Sequence, residues 1–335
     1  MKVYVYQGSI GVVEKSGVGQ AIFHQVQSMK DAMIPVVEKD DPQVTMVHLN
    51  TVFPDSVLEA RRARRQGKKI IWYGHSTEED FRDSFKFSNL LSPLFRRWIV
   101  WCYSQADAVI TPTEYSRDII RGYGVTKPVY VLSNGVDTDF FKADAEAGRR
   151  FREKYDIPQD KKVVISVGHY MERKGILDFI DLAEKMPDVD FYWFGYTQPV
   201  LVTENVREAM KNAGPNVFFP GYVQRDDLRD AYCGSDLFCF MSHEETEGIV
   251  VLEALACGVP VLVRDIPVYS SWLHNGVNAY KARGQEEFLK RAQGILEKKV
   301  PSLVVEGRYC AETRSLQAVG EKLRMIHEAV ESAQN

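Results

Sequence analysis

The 335 residues are 45% hydrophobic, 26% charged and 11% aromatic. That composition excludes a disordered or fibrous chain, and the length suggests about two domains, each able to bury its own core. The net charge of -4 excludes a global cationic field of the kind that drives nonspecific nucleic-acid binding. Five scattered cysteines, never C-x-x-C, exclude a disulfide scaffold and fit reduced core residues of a cytoplasmic protein. The opening MKVYVYQGSIG matches neither the apolar stretch of a signal peptide nor a span of about 20 apolar residues, so neither export nor membrane crossing is expected.

Short β-branched or aromatic runs lie at residues 2–7, 44–50, 69–74, 108–113 and 129–132, and helix-like spacing fills 89–105 and 114–121. This is a βαβ rhythm with buried parallel strands. A polar, Lys- and Glu-rich stretch at 142–162 reads as the domain hinge. The rhythm then restarts with strands at 163–168, 190–195, 217–221, 236–241 and 260–263, and helices at 175–186 and 248–257. Two consecutive doubly wound α/β domains are therefore predicted, at 1–145 and 146–310. Ligands of such sheets bind outside the carboxyl ends of the strands, which places the chemistry in a cleft between facing domains.

Three strand-end segments carry candidate chemistry. Ser16-Gly17-Val18-Gly19 opens a helix, where glycines let a ligand approach free N–H groups. Its G-x-G is shorter than a dinucleotide fingerprint and its loop is too long for a tight Rossmann turn, so the bland alternative is a glycine-bearing helix start. His75 ends the third strand run, where it could reach the cleft or merely cap a loop. In the segment ETEGIVVLEALACGVPV, Glu245 and Glu247 lie on a strand exit, Gly248 opens a helix and Glu253 follows in its second turn. The amides of Gly248, Ile249 and Val250 suit phosphate, and Glu253 suits a diol; Glu247 could equally serve only the helix macrodipole.

The E-x7-E spacing from Glu245 to Glu253, with the following A-L-A-C-G-V-P-V, resembles the retaining glycosyltransferases of family 4, which have the GT-B fold. Other segments match in order: the Gly17/Gly19 loop, His75, the S-N-G-V-D segment from Ser133 to Asp137, Arg173-Lys174-Gly175, and the strand before a nucleobase loop at 216–221. The resemblance implies a UDP-hexose donor, with no other cofactor, held mainly by the second domain. Arg173 and Lys174 would meet the diphosphate together with Gly248, Ile249 and Val250. Glu253 would bind the ribose, Glu245 the transferred sugar, and Gly17 and Gly19 would close from the first domain beside His75. His75, Glu245 and Lys174 are thereby the catalytic candidates, in a retaining, metal-independent hexosyltransferase. His169 stands where many members carry an arginine after the strand-end glycine, leaving Arg173 to substitute. Glu247, often apolar or small in the family, would contact the sugar. Asp137-Thr138-Asp139 spells D-x-D, but its place after the N-G turn argues against a metal role.

Net charge is +1 through residue 140 and -5 beyond it. The first part holds Arg61, Arg62, Arg64 and Arg65, followed by Phe95, Arg96, Arg97, Trp98 and Trp101. Basic clusters with interleaved aromatics draw proteins to anionic membrane surfaces, although a solvated helix end beside a core helix gives the same pattern. The wording from His75 to Trp98 resembles Gram-positive bacterial glycosyl-diacylglycerol synthases. This implies UDP-glucose or UDP-galactose as donor and monoglucosyldiacylglycerol as acceptor. The product would be an α-linked diglycosyldiacylglycerol of the lipoteichoic acid anchor type, made at the inner face of the cell membrane without nucleic acid. A soluble or polysaccharide acceptor, or a non-catalytic partner subunit, are the alternatives. A final helix in 311–335 is expected to pack back toward the first domain.

Overall fold

Strands β1 (Val3–Tyr6), β2 (Met46–Leu49), β3 (Lys69–Tyr73), β4 (Ala108–Thr111) and β5 (Val129–Val131) pair in that order, all parallel. They belong to a computed structural model that describes residues 1–9, 11, 16–39, 41–82 and 88–333. Residues 12–15, ahead of the Gly17/Gly19 segment, and the part of the 75–98 motif at 83–87 lie outside the described residues. The sheet is wound in both directions because Val36 bridges Val3 on the outer side of β1, while β2 pairs on the inner side. Consequently α1 (Gly17–Asp31) covers one face, packing Ile22 and Met29 against Val3, Met46 and Ile71. Helices α2 (Pro54–Arg65), α4 (Ser88–Ser104) and α5 (Glu114–Gly122) cover the other, and a short α3 (Glu78–Phe81) follows β3. Coverage of both faces is why these strands are continuous apolar runs.

The second sheet comprises β6 (Lys162–Val167), β7 (Val189–Phe194), β8 (Val217–Gly221), β9 (Leu237–Phe240), β10 (Val261–Arg264) and β11 (Tyr280–Ala282), in the order β11-β10-β9-β6-β7-β8. Its helices are α6 (Ala145–Lys154), α7 (Ile176–Glu184), α8 (Glu204–Asn212), α9 (Arg225–Gly234), α10 (Ile249–Cys257), α11 (Gln285–Leu296) and α12 (Val304–Glu312). Winding reverses between β6 and β9, so their carboxyl ends form the switch-point crevice. Strand β11 was not anticipated, because Lys281 interrupts its apolar pattern; that ammonium is buried 3.7 Å from Asp265.

The hinge differs from the expectation. Leu132 still belongs to the first core, whereas Val136, Phe141 and Phe151 pack in the second, so the chain crosses at 133–135 rather than within 142–162. The polar stretch is instead α6, an amphipathic helix that buries Ala147 and Phe151. It lies so close to α9 that a Cβ on Gly148 would stand 2.7 Å from the Cys233 carbonyl oxygen. The last helix, α13 (Leu316–Ser332), places Val319, Leu323, Ile326 and Val330 in the first core. Gly320 permits this approach, since a Cβ there would come within 2.2 Å of the Ser28 carbonyl oxygen on α1. The return crossing is tied beside the outgoing one, with Val136 and Leu316 donating backbone hydrogen bonds to Arg314 and Val136.

Candidate active site

The loops leaving β6 and β9 meet because Gly175 lacks a side chain. Its φ is +80°, and a Cβ there would lie 2.2 Å from the Met241 carbonyl oxygen. This contact sets the turn Glu172–Lys174 against the exit of β9, where Lys174 Nζ pairs with Glu245 Oε1 at 2.6 Å. Gly248, at φ +90°, then starts α10 without a side-chain cap, so the first N–H groups of that helix are directed at the cleft with the positive end of its dipole. Glu253 lies on the next turn, 4% exposed, its Oε2 accepting from the Tyr232 hydroxyl at 2.9 Å. Burial pushes its carboxyl up to about 7.

A cleft of about 360 Å³ separates these groups from the first domain. Gly17, His75, Arg173, Lys174, Glu245, Gly248, Ile249, Val250 and Glu253 all line it; Gly19, in the first turn of α1, does not. His75 is buried, stacks on Tyr73 with ring centroids 5.6 Å apart, and donates from Nε2 to Asn50 Oδ1 at 3.2 Å. Burial lowers its pKa to about 4, so the ring is neutral near pH 7. The two walls are joined directly: Asp80 pairs with Arg173 at 2.8 Å, Thr113 donates to the Thr246 carbonyl at 2.9 Å, and Tyr115 donates to Glu244 at 3.2 Å.

Several candidate roles change on this geometry. Arg173 was expected to stand in for the missing arginine at position 169, yet its Nη1 faces Asp80 and the Glu244 carbonyl, so it acts as an interdomain clamp at the cleft edge. His169 donates from Nδ1 to the Tyr196 carbonyl at 2.7 Å, and burial lowers its pKa. Glu247 does not reach the cleft. It is 1% exposed and accepts from the Ser133 hydroxyl at 2.5 Å and from the Asn134 amide and side chain at 2.9 and 2.8 Å. Its position beside 133–135 makes it a clasp on the outgoing crossing. Glu247→Ala leaves those donors without an acceptor, and a loss of about 2–4 kcal/mol is expected; an unchanged urea midpoint would refute the clasp.

Asp137, from the D-x-D triplet, pairs with Arg225 at 2.7 Å and accepts from the Phe140 amide, which accounts for its carboxylate. Among the described residues no group of three or more His, Cys, Asp or Glu is gathered to hold a metal. The sequence reading overlooked Arg225 and Tyr222 on the cleft wall, and it quoted Asn134 and Asp80 within its motifs without giving either a place in the site. Arg225 also lies 4.0 Å from the centre of the Phe140 ring. Its signal was the arginine opening α9 directly after β8, at a strand end of the second sheet.

The surface candidates divide. Arg61, Arg62, Arg64, Arg65, Arg96, Arg97 and Trp101 are exposed, and Arg61 lies over the Trp101 ring at 5.6 Å, so α2 and α4 share one face. Phe95 and Trp98 are half-buried: Phe95 stacks on Phe81, and Trp98 donates from Nε1 to the Val52 carbonyl at 2.6 Å. The exposed apolar groups beside the arginines are instead Leu90 at 79%, Leu94 at 66% and Leu58 at 64%. No helix among the described residues is long and apolar enough to cross a membrane.

Comparison with known proteins agrees with this architecture. Residues 28–140 match the model described as Glycosyltransferase Family 4, and residues 148–305 match Glycosyl transferases group 1. The chain is 37% identical over 331 residues to a processive diacylglycerol alpha-glucosyltransferase of Acholeplasma laidlawii, covering 98% of both chains. The chain belongs to the family 4 glycosyltransferases. This glycosyltransferase is also 28% identical over 276 residues to the alpha-galactosylglucosyldiacylglycerol synthase of Streptococcus pneumoniae, covering 81% of this chain and 72% of that one. Its fold is GT-B, matching Anabaena HepE in complex with UDP-glucose at a TM-score of 0.75 and 17% identity, over 98% and 99% of the two chains.

Proposed function

We propose that this glycosyltransferase moves glucose or galactose from a UDP-sugar to a glycosyl-diacylglycerol, monoglucosyldiacylglycerol foremost, with retention, forming an α-linked diglycosyldiacylglycerol. The observation that carries the donor half is the Lys174–Glu245 pair set beside the uncapped start of α10. Lys174 and the α10 amides would meet the diphosphate, stabilising charge as it develops on the leaving group without a metal ion. Glu245 would hold the sugar and Glu253 the ribose. His75 would face the sugar from the opposite wall. The acceptor half is supported by likeness, end to end, to a relative whose name specifies diacylglycerol.

The direct experiment supplies UDP-glucose or UDP-galactose together with monoglucosyldiacylglycerol in vesicles, or with a soluble sugar. Hexose incorporated into lipid supports the reading. Product from the soluble sugar alone overturns the lipid acceptor, and no product with any acceptor favours a non-catalytic role.

The lipid would be met at a membrane surface by the face that α2 and α4 share. Leu90, Leu94 and Trp101 recur at helical spacing with Arg97 between them, exposing apolar groups interleaved with a cation on α4, next to the four arginines of α2. Such a face combines shallow insertion with charge attraction. Each arginine near an anionic surface contributes about 1 kcal/mol, so replacing Arg61, Arg62, Arg64 and Arg65 by Gln should lower binding to anionic vesicles by about 10²–10³-fold in a flotation assay. Unchanged flotation would remove α2 from the membrane face.

A further inference from the structure

Behind His75 a line of buried polar side chains runs through the first domain to the end of the chain. His75 donates to Asn50 at 3.2 Å, and Asn50 Nδ2 donates to Gln25 Oε1 at 2.9 Å. Gln25 Nε2 donates to His48 Nδ1, also at 2.9 Å. His48 must then carry its proton on Nε2, which lies 3.0 Å from His327 Nε2 on α13. His327 is left with its proton on Nδ1, a buried atom without a hydrogen-bond partner among the described residues. Every member is buried, and the two terminal histidine rings meet edge to face at 4.9 Å.

Nothing in core packing requires five polar side chains in a row, and a half-satisfied buried network destabilises relative to an apolar core. A buried N–H without a partner also calls for a reason, since such groups are rare in native proteins. What the line accomplishes is directional. Each member donates toward α13, so the proton of the neutral His75 ring sits on Nε2, and Nδ1 is the nitrogen left for the cleft. Asn50 and Gln25 cannot change protonation state, which makes them suitable for holding that polarity.

Resting on the reading of the cleft as a hexosyl-transfer site, we infer that Asn50, Gln25, His48 and His327 are positioning residues. They keep His75 in its Nε2–H tautomer and present Nδ1 as a hydrogen-bond acceptor for a hydroxyl of the sugar or of the incoming lipid headgroup. The last helix thereby takes part in the site from the α1 face of the first sheet, without lining the cleft itself. Its docking on α1, which Gly320 allows, is needed to complete the line and not only to cover the core.

Nitrogen-15 spectra of histidine-labelled protein, with the His75 signal assigned by its loss in His75→Gln, read the tautomer directly in the unliganded protein. The neutral Nε2–H form is expected in the wild type, and a mixture in Asn50→Leu and His327→Leu. In transfer assays Asn50→Leu should lower kcat by about 10–100-fold, with KM for the UDP-hexose within about threefold. His327→Gln, which can still accept from His48, should retain wild-type kcat. An Nδ1–H tautomer in the wild type overturns the inference, as does a folded Asn50→Leu protein with unchanged kcat. If Asn50→Leu does not fold, the wild-type tautomer and His327→Leu still decide. If the wild type transfers no hexose, the functional reading fails while the tautomer measurement stands apart from it.

Discussion

Lys174→Ala is expected to lower the kcat of hexosyl transfer by about 10²–10³-fold, the usual effect of removing a preorganised group aimed at developing charge. In the unliganded structure its ammonium is held 2.6 Å from Glu245 and is largely shielded from water, where a charge acts more strongly than in solvent. The loss should fall mainly on kcat, because the negative charge on the diphosphate grows as the sugar departs. Glu245→Gln separates the two members of the pair: it leaves the ammonium in place, so its defect should follow the identity of the hexose rather than the departure of UDP. Equal kcat for wild type and Lys174→Ala, measured as UDP release with the lipid acceptor, would place the diphosphate elsewhere.

Acidification should weaken the first domain and strengthen the second. Burial lowers the pKa of His24, His75 and His327 to about 4, and His48 lies well below the usual histidine value through burial and its neighbour His327. Between pH 6.5 and about 4 the unfolded chain takes up protons that these folded rings refuse. Stability from them is therefore present above pH 6.5 and lost as pH falls, by about 1.4 kcal/mol per pH unit for each ring.

In the second domain Glu244, Glu247 and Glu253 are raised by burial to about 7. The sign reverses for them. The folded carboxyls keep protons that the unfolded chain has lost above pH 4.5, so stability rises as pH falls from 7 toward 4.5. Hydrogen exchange compared at pH 8 and pH 5, after correction for intrinsic rates, should show β3 losing protection while β9 gains it. Parallel changes in both strands would sink the assignment.

Much of this molecule was readable before folding. Two βαβ series follow from apolar runs separated by helix-length segments, because a strand buried on both faces must be apolar throughout. Glu245, Gly248 and Glu253 were legible because one strand exit and the helix start that follows it bring them together by local connectivity, whereas Lys174, 71 residues from Glu245, was named only through the family resemblance and is brought there by the packing of two strand exits. Membrane-facing aromatics were half legible: residue type cannot tell Trp98, tied to a carbonyl on a neighbouring loop, from Trp101, which is exposed.

What composition and spacing determined by themselves was the class of the protein, two doubly wound domains with a switch-point cleft, since periodicity and turn chemistry act over a few residues. Only the tertiary structure decided that Glu247 clasps the crossing at 133–135, that Arg173 bridges to Asp80, and that His327 stands behind His75. His327 and His48 are 279 positions apart in sequence. Such partnerships depend on how two sheets and a returning helix are packed, and burial far from the local chain leaves no periodic trace by which a buried polar residue could announce its partner.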